Sequence, residues 1–265
     1  IRDSLNEQRY PVKDPGLEKE IPQEVQVHRT GAVDSIQHLS LWGYHLDCLT
    51  IPDRWLGWIP FAVRKGLEII KNEGIQAIFS TSPFPTTHLI AAVLKKKTQV
   101  PWIADFRDPW IEDGLYPVPG TLRHWIETRL ENKVVQFADR ITVTTPRFRD
   151  EFLARYSRTA KSKFRVIFNG FDEKDFNGAS SPLPDGSFEI LHAGQLNPEF
   201  RDPLPLLEAL QRLMQEGKIL ASDLRVTFLG GGDFVDSPDF VQTIDRLGLQ
   251  NVVSIVKRVP YTESL

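Results

Sequence analysis

Pro101-Trp-Ile-Ala-Asp-Phe-Arg-Asp-Pro-Trp110 carries the reading of the fold. Pro101 to Asp105 is a short apolar run that suits a buried strand, and Arg107, Asp108 and Pro109 then turn the chain into a charged loop. The same rhythm recurs on both sides. Upstream, Ala77-Ile-Phe-Ser80 is a strand candidate that stops at Ser80-Thr-Ser-Pro83, and Pro85 suits the first turn of a helix running through Leu89 to Leu94. Downstream, a helix from Leu122 to Ala138 leads to a strand at Arg140-Ile-Thr-Val-Thr144, a helix from Arg147 to Tyr156, and a strand at Phe164-Arg-Val-Ile-Phe168. Strands alternating with helices of this length imply right-handed parallel crossovers. That predicts an α/β unit built on a doubly wound sheet with helices on both faces.

Farther out the pattern changes. The first twenty residues are polar and hold Pro11, Pro15 and Gly16, so they read as a loop or a stub. Glu24-Val-Gln-Val-His-Arg29 alternates like a short strand, and Trp58 to Lys71 has helical spacing through Trp58, Ala62, Ile69 and Ile70. Between Asn177 and Ser187 the apolar periodicity is lost, as in an interdomain linker. A second unit follows, with a strand at Phe188 to His192 that ends at Gly194 and a helix from Leu204 to Met214. Next come a strand from Leu224 to Leu229 that runs into Gly230-Gly-Gly232, a helix from Phe240 to Leu247, and a strand from Val252 to Val256. A capped helix is expected to start at Thr262. The reading is thus two domains, residues 1–177 and 188–265. A doubly wound domain usually needs about five or six strands. The second unit offers three and the polar start lacks a first strand with its glycine-rich turn, so both domains read as incomplete.

The 265 residues are 41% hydrophobic with a formal net charge of -3. This is enough to bury a core in one or two domains. It supplies no global basic field, and with no local basic patch evident, nucleic acid is not an expected partner. Lys95-Lys96-Lys97 is the only basic run and reads as the solvated end of a helix. Cys48 is the single cysteine, so a disulfide framework and a multi-cysteine metal site are excluded, and a reducing, cytoplasmic compartment fits. No run approaches the ~18 apolar residues of a membrane-spanning helix. Trp42, Tyr44, Trp55, Trp58 and Phe61 crowd one region. They suit packing in a core or between domains, or a surface facing lipid or acceptor, which leaves a peripheral contact at the inner face of a membrane open.

In open parallel sheets, ligands bind beyond the carboxyl ends of the strands, where loops diverge and helix N-termini present free N–H groups. Those ends carry Ser80-Thr81-Ser82, Asp105-Phe-Arg-Asp108, Thr144-Thr145 and Asn169-Gly170 in the first unit, and Gly194-Gln195 and Gly230-Gly231-Gly232 in the second. A crevice between two such edges is the expected place for a phosphate-bearing ligand. Asp105, Arg107 and Asp108 admit two readings. Either an Asp–Arg ion pair pins the loop while Asp108 caps the turn before Pro109, or one carboxylate accepts a hydrogen bond from a sugar hydroxyl while Arg107 holds the pair or an anion. The glycines after Leu229 fit a tight turn or a close backbone approach to phosphate. Arg201, in the loop before Leu204, could reach an anion at that helix's N-terminus or simply be solvated. The Gly-x-Ser-x-Gly elbow and the Gly-Lys-Ser/Thr loop are absent, and the six histidines show no ligand spacing, so no hydrolase triad or metal site is expected.

Six segments taken together resemble bacterial glycosyltransferase family 4. They are Ile78-Phe-Ser-Thr-Ser-Pro83, Trp102-Ile-Ala-Asp-Phe-Arg-Asp-Pro-Trp110, Ala138-Asp-Arg-Ile-Thr-Val-Thr-Thr145, Val166-Ile-Phe-Asn-Gly-Phe-Asp172, His192-Ala-Gly194 and Phe228-Leu-Gly-Gly-Gly232. Their order and spacing carry the resemblance, which runs from about Leu17 to the end of the chain. It implies the GT-B fold, in which two Rossmann-like domains face a cleft, the first holding the acceptor and the second the nucleotide diphosphate. It also implies a glycosyltransferase that retains anomeric configuration and needs neither metal nor cofactor, with a nucleotide-sugar donor and a glycan or lipid-linked acceptor.

Residue by residue, the resemblance puts Asp105, Arg107 and Asp108 on the acceptor and reaction-centre side, and Asn169 and Gly170 at the crossing into the second domain. Gly194 and Gln195 take the place of the family's Gly-Arg facing the diphosphate, with Arg201 the substitute cation, and Gly231 and Gly232 nearby. Arg258 and Val259 border the nucleobase. The family's glycine-rich loop would precede Ile1 and its paired glutamates would follow Leu265, so this chain alone is expected to bind donor weakly and turn over little. A GT-B nucleotide-sugar epimerase and a non-catalytic nucleotide-sugar-binding or assembly module are the alternatives.

Overall fold

The computed structural model describes residues 21–39, 47–111, 118, 120–176, 187–198, 201–260 and 263–264. They form two compact units, divided in sequence between Gly170 and Phe171. The first holds α1 (Ser35–His38), α2 (Ile59–Glu73), β1 (Ile78–Thr81), α3 (Pro85–Thr98), β2 (Trp102–Phe106), α4 (Leu122–Phe137), β3 (Arg140–Val143), α5 (Pro146–Arg155) and β4 (Phe164–Val166). Its strands pair in parallel in the order β1-β2-β3-β4.

Local chemistry sets the helix starts. Thr121 caps α4 by accepting from the His124 amide, and Thr145 caps α5 by accepting from Phe148, with Pro146 in the first turn. α3 begins at Pro85 and takes its cap from far away in sequence: both Asp53 oxygens accept from Thr86, through its amide at 2.8 Å and its hydroxyl at 2.9 Å. Burial pushes the Asp53 carboxyl above the usual carboxylate range, against these hydrogen bonds and the nearby Arg123. α2 packs on α3. The core gathers Trp102, Phe106, Ile141, Val135 and Phe152, all fully buried, with the Phe106 and Phe152 rings 4.9 Å apart edge to face.

The second unit holds β5 (Phe188–Ala193), α6 (Leu204–Gln215), β6 (Leu224–Leu229), α7 (Pro238–Arg246) and β7 (Val253–Val256). Its strands are again parallel and sequential, β5-β6-β7. Val226, Phe228, Leu207, Leu249, Phe240 and Ile244 form its core.

The α/β class is as expected, with element ends within a few residues of the sequence reading; α3 starts at Pro85 as expected and runs four residues past Leu94. Its helical cover differs. Among the described residues, one face of each sheet is covered and the other is open: Ile78, Trp102, Ala104 and Phe106 are buried, whereas the intervening Phe79 is 61% exposed and Thr81 is exposed. The cause is strand order. Same-handed crossovers between strands laid down in one direction put every helix on the same side, and a sheet gains cover on both faces only where its order reverses. Neither β1 to β4 nor β5 to β7 contains a reversal.

Residues 24–29 are not a strand. Val25 and Val27 are each 54% exposed, and alternation forms a strand only where a neighbour pairs with it. The polar first twenty residues, Trp42, Tyr44, most of the linker and Thr262 lie outside the described residues. Of the remaining aromatics in that cluster, Trp55 is buried, Trp58 donates from Nε1 to Thr30 at 2.7 Å, and Phe61 is partly exposed. No helix among the described residues is long and apolar enough to cross a membrane.

Candidate functional site

At the carboxyl edge of the first sheet, Asp105 sits between threonines of both neighbouring strands. Thr81 donates to its Oδ2 at 2.8 Å and Thr142 to its Oδ1 at 2.5 Å. In-register parallel pairing causes this, because Thr81 and Thr142 are its partners in β1 and β3 and all three side chains share the open face. The ion pair considered between Asp105 and Arg107 is not formed. Arg107 instead reaches Asn169, donating from Nη2 to Oδ1 at 3.2 Å. Ser82 holds the loop, its Oγ accepting from the amides of Arg107 at 2.8 Å and Asp108 at 3.3 Å. The structure therefore brings Asp105, Arg107 and Asn169 to one edge and leaves the Arg107 and Asp108 side chains exposed.

Beneath that edge lie groups that the sequence reading missed. Ser80 does not face the edge. It points into the core, where its Oγ accepts from Trp102 Nε1 at 2.8 Å and lies 2.8 Å from His88 Nδ1. With two lone pairs and one proton, that hydroxyl can accept from Trp102 and still either donate to Nδ1 or accept from an Nδ1–H, so the tautomer of His88 sets the direction of this bond. Nε2 finds no partner among the described residues. Burial lowers the His88 pKa to about 4, although the Asp105 charge opposes the shift.

Glu127 and Glu131, one turn apart on α4 and both fully buried, anchor the far end of the same loop. Glu127 accepts from Trp110 Nε1 at 2.9 Å and Arg123 Nε at 2.6 Å. Glu131 accepts from the Ile111 amide at 3.1 Å, Arg155 at 2.9 Å and the Tyr156 hydroxyl at 2.6 Å. Burial pushes both carboxyls above the usual range, against the lowering effect of these donors. Glu-x-x-x-Glu within a helix of mixed polarity signals a solvated face as readily as an anchor, so nothing local marked it.

At the carboxyl edge of the second sheet, the β5 and β6 turns interlock: the Gly194 amide donates to Leu229 O at 2.9 Å, and Leu196 to Gly231 O at 3.0 Å. Gly230 and Gly232 have φ of 69° and 78°, and a Cβ on Gly231 would lie 2.6 Å from Val235 Cγ2. Gln195 packs beside Gly232, and the Arg258 backbone lies next to Gly230. Arg201 folds back toward this turn, its Nη1 3.4 Å from Gln195 O, rather than toward the start of α6. That start is already taken, as Asp202 accepts from the Leu204 amide at 2.9 Å. Gly194, Gln195, Arg201, Gly230 to Gly232 and Arg258 thus gather at one edge, with Val259 next in sequence and half-buried. Among the described residues no group of three His, Cys, Asp or Glu side chains could hold a metal ion.

Comparison with known proteins gives a consistent picture. The chain is 30% identical over 143 residues to the D-inositol 3-phosphate glycosyltransferase of Streptosporangium roseum, a match covering 50% of this chain and 32% of that protein. The Anabaena protein HepE in complex with UDP superposes with a TM-score of 0.57 at 17% identity, over 77% of this chain and 54% of HepE. Sucrose-phosphate synthase from Thermosynechococcus elongatus gives a TM-score of 0.54 at 16% identity, over 78% of this chain and 51% of that one. The chain thus spans about half the length of the solved proteins it resembles, and their likeness shows the GT-B fold. Residues 24–175, more than half of the chain, match the profile of Glycosyltransferase Family 4. The chain belongs to Glycosyltransferase Family 4.

Proposed function

We propose that this chain is the acceptor-side unit and part of the donor-side unit of an enzyme that moves a sugar from a nucleotide-sugar donor to a glycan or lipid-linked acceptor. The observation that carries the reading is the edge of the second sheet. There a turn stripped of side chains at Gly230, Gly231 and Gly232 lies beside Gln195, whose carbonyl accepts from the Arg201 guanidinium at 3.4 Å. A diphosphate needs such a surface, with close backbone approach and a cation in reach. HepE, whose fold this chain shares, is known in complex with UDP and with UDP-glucose, which supports a uridine diphosphate donor.

In the proposed reaction the bond from the sugar's anomeric carbon to the diphosphate oxygen breaks and a bond to the acceptor oxygen forms. The acceptor hydroxyl loses its proton, and the nucleoside diphosphate leaves with the electron pair. Asp105, fixed by two threonines, is the carboxylate proposed to orient the acceptor, with Arg107 and Asp108 beside it and Asn169 and Gly170 at the start of the crossing. Gly194, Gln195, Arg201, Gly231 and Gly232 are proposed to hold the diphosphate, and Arg258 and Val259 to border the base. Retention of anomeric configuration and independence of metal complete the proposal.

The test incubates protein carrying this chain with UDP-sugars and a panel of glycan and polyprenyl-phosphate acceptors. Release of UDP coupled to a heavier acceptor, with the donor's anomeric configuration kept and the rate unchanged by EDTA, is the expected result. Release of UDP with an altered free sugar in the absence of acceptor would replace transfer by epimerisation.

A further inference from the structure

The imidazole of His192 lies next to the Gly194 turn at the carboxyl edge of the second sheet. It is the penultimate residue of β5, in register with Phe228 of β6, and its ring meets the buried Phe228 ring edge to face with 6.5 Å between centres. Its Nε2 is buried and finds no hydrogen-bond partner among the described residues. That same nitrogen faces the place where Gly194 lacks a side chain: a Cβ there would lie 3.9 Å from Nε2, its nearest neighbour beyond the adjoining residues. Gly194 also has φ of 142°, where residues with a side chain are rare, so the approach to Nε2 stays uncovered by any Cβ.

Packing alone gives no reason for a histidine here. A leucine of similar size would meet Phe228 without leaving a polar nitrogen orphaned, and an unpaired buried polar group costs the folded state free energy. Such a group calls for a partner that arrives from outside the fold. We infer that His192 is a further diphosphate-binding residue, its Nε2–H donating to a phosphate oxygen of the nucleotide seated against the Gly194 turn. An oxygen standing where the Gly194 side chain would begin has about 1 Å to close to reach hydrogen-bonding distance, which a small rotation of the imidazole supplies. The role requires the proton on Nε2, and an approaching anion favours that state. Arg201, exposed and donating to the Gln195 carbonyl at 3.4 Å, then holds the surface side of this edge while His192 holds the buried side. The inference rests on the diphosphate reading of the edge and adds to it one named contact.

The experiment titrates UDP, and separately inorganic pyrophosphate, into the isotopically labelled full chain while the imidazole nitrogens are followed by long-range proton–nitrogen correlation. The His192 Nε2 resonance is expected to move with the same saturation as the Gly231 and Gly232 amides. H192L is expected to bind both ligands about tenfold or more weakly, as the loss of one hydrogen bond to a charged group implies. Without ligand the same variant is expected to melt above the wild type, because the orphaned nitrogen is gone. H192Q, whose amide nitrogen can stand where Nε2 stood, is expected to restore affinity to within about threefold. A purely structural histidine gives the opposite pattern, a lower melting temperature in H192L with unaltered UDP affinity. Should H192L fail to fold, H192N supplies the comparison, since its shorter amide ends near the place of Nδ1. An Nε2 resonance that stays fixed while UDP shifts Gly231 and Gly232, or equal affinity in the wild type and the variant lacking Nε2, would overturn the inference and leave the donor reading standing. A wild type that binds neither UDP nor pyrophosphate would remove both.

Discussion

Lowering the pH from 7 to 5 should destabilise this protein through His88 specifically. The imidazole is 1% exposed, and burial holds its pKa near 4 against an ordinary value of 6.5. A base whose folded pKa is depressed contributes stability that is present above its ordinary pKa and is lost as pH falls toward the folded one. The displacement from 6.5 to about 4 corresponds to about 3 kcal/mol, of which about 2 kcal/mol is lost by pH 5. Asp53, Glu127 and Glu131 act in the opposite sense, because carboxyls with raised folded pKa favour the folded state more as pH falls. The total pH slope therefore mixes both signs, and a variant is needed to isolate the histidine. His88→Asn keeps a hydrogen-bonding group for Ser80 where Nδ1 stood, donor or acceptor as needed, and cannot titrate. Urea unfolding of both proteins at pH 7 and pH 5 should show the wild type losing about 2 kcal/mol more than the variant between the two pH values. Parallel losses in the two proteins would refute the argument that burial of a neutral imidazole dominates here.

Three further outcomes follow from the same structure. Glu131→Ala should cost about 3–5 kcal/mol in urea unfolding, because Tyr156 and the Ile111 amide lose this acceptor in the core and Arg155 loses its carboxylate partner while keeping the Ile111 carbonyl; a cost below about 1 kcal/mol would mean the cluster relaxes freely. Asp105→Asn should shift stability by less than about 1 kcal/mol, since the Thr81 and Thr142 hydroxyls can rotate to match an amide. In the transfer assay the same variant should slow the reaction by about a hundredfold or more, and an unchanged rate would remove Asp105 from the reaction centre. Gly231→Ala places a methyl 2.6 Å from a Val235 methyl that is itself buried, so melting should report a loss of about 1–3 kcal/mol together with weakened nucleotide binding. Unaltered melting would show that the turn gives way.

Most of the fold was legible because its signals are local. Pro85, Thr121 with Leu122, Thr145 with Pro146, and the glycines after Leu229 each mark an element end by their own backbone chemistry. What failed was non-local. Residues 24–29 alternate correctly, yet alternation says nothing about whether a partner strand exists. Helices on both faces were inferred from strands alternating with helices, whereas the face each helix takes is set by strand order, which no single segment encodes and which among the described residues does not reverse.

The candidate site divides in the same way. The carboxyl ends of β2, β5 and β6 could be read along the chain. The partners of Asp105 could not, because Thr81 and Thr142 lie 24 and 37 residues away and meet it only through register. The missed members, Ser80 with His88 and Glu127 with Glu131, are polar residues in the core. Their residue types point to the surface by base rate, and only the partners supplied by Trp102, Arg155 and Tyr156 make them buried.

The central claim, that a nucleoside diphosphate lies against the second unit's strand ends, is tested most directly by titrating UDP into the isotopically labelled 265-residue chain and following its amide resonances. The account predicts saturable shifts at millimolar UDP confined to Gly194, Gln195, Gly231, Gly232 and their neighbours. Arg201→Ala should weaken the binding by about tenfold, the worth of one charge-assisted hydrogen bond. Resonances that stay fixed through the titration, or that shift only elsewhere in the chain, would contradict it.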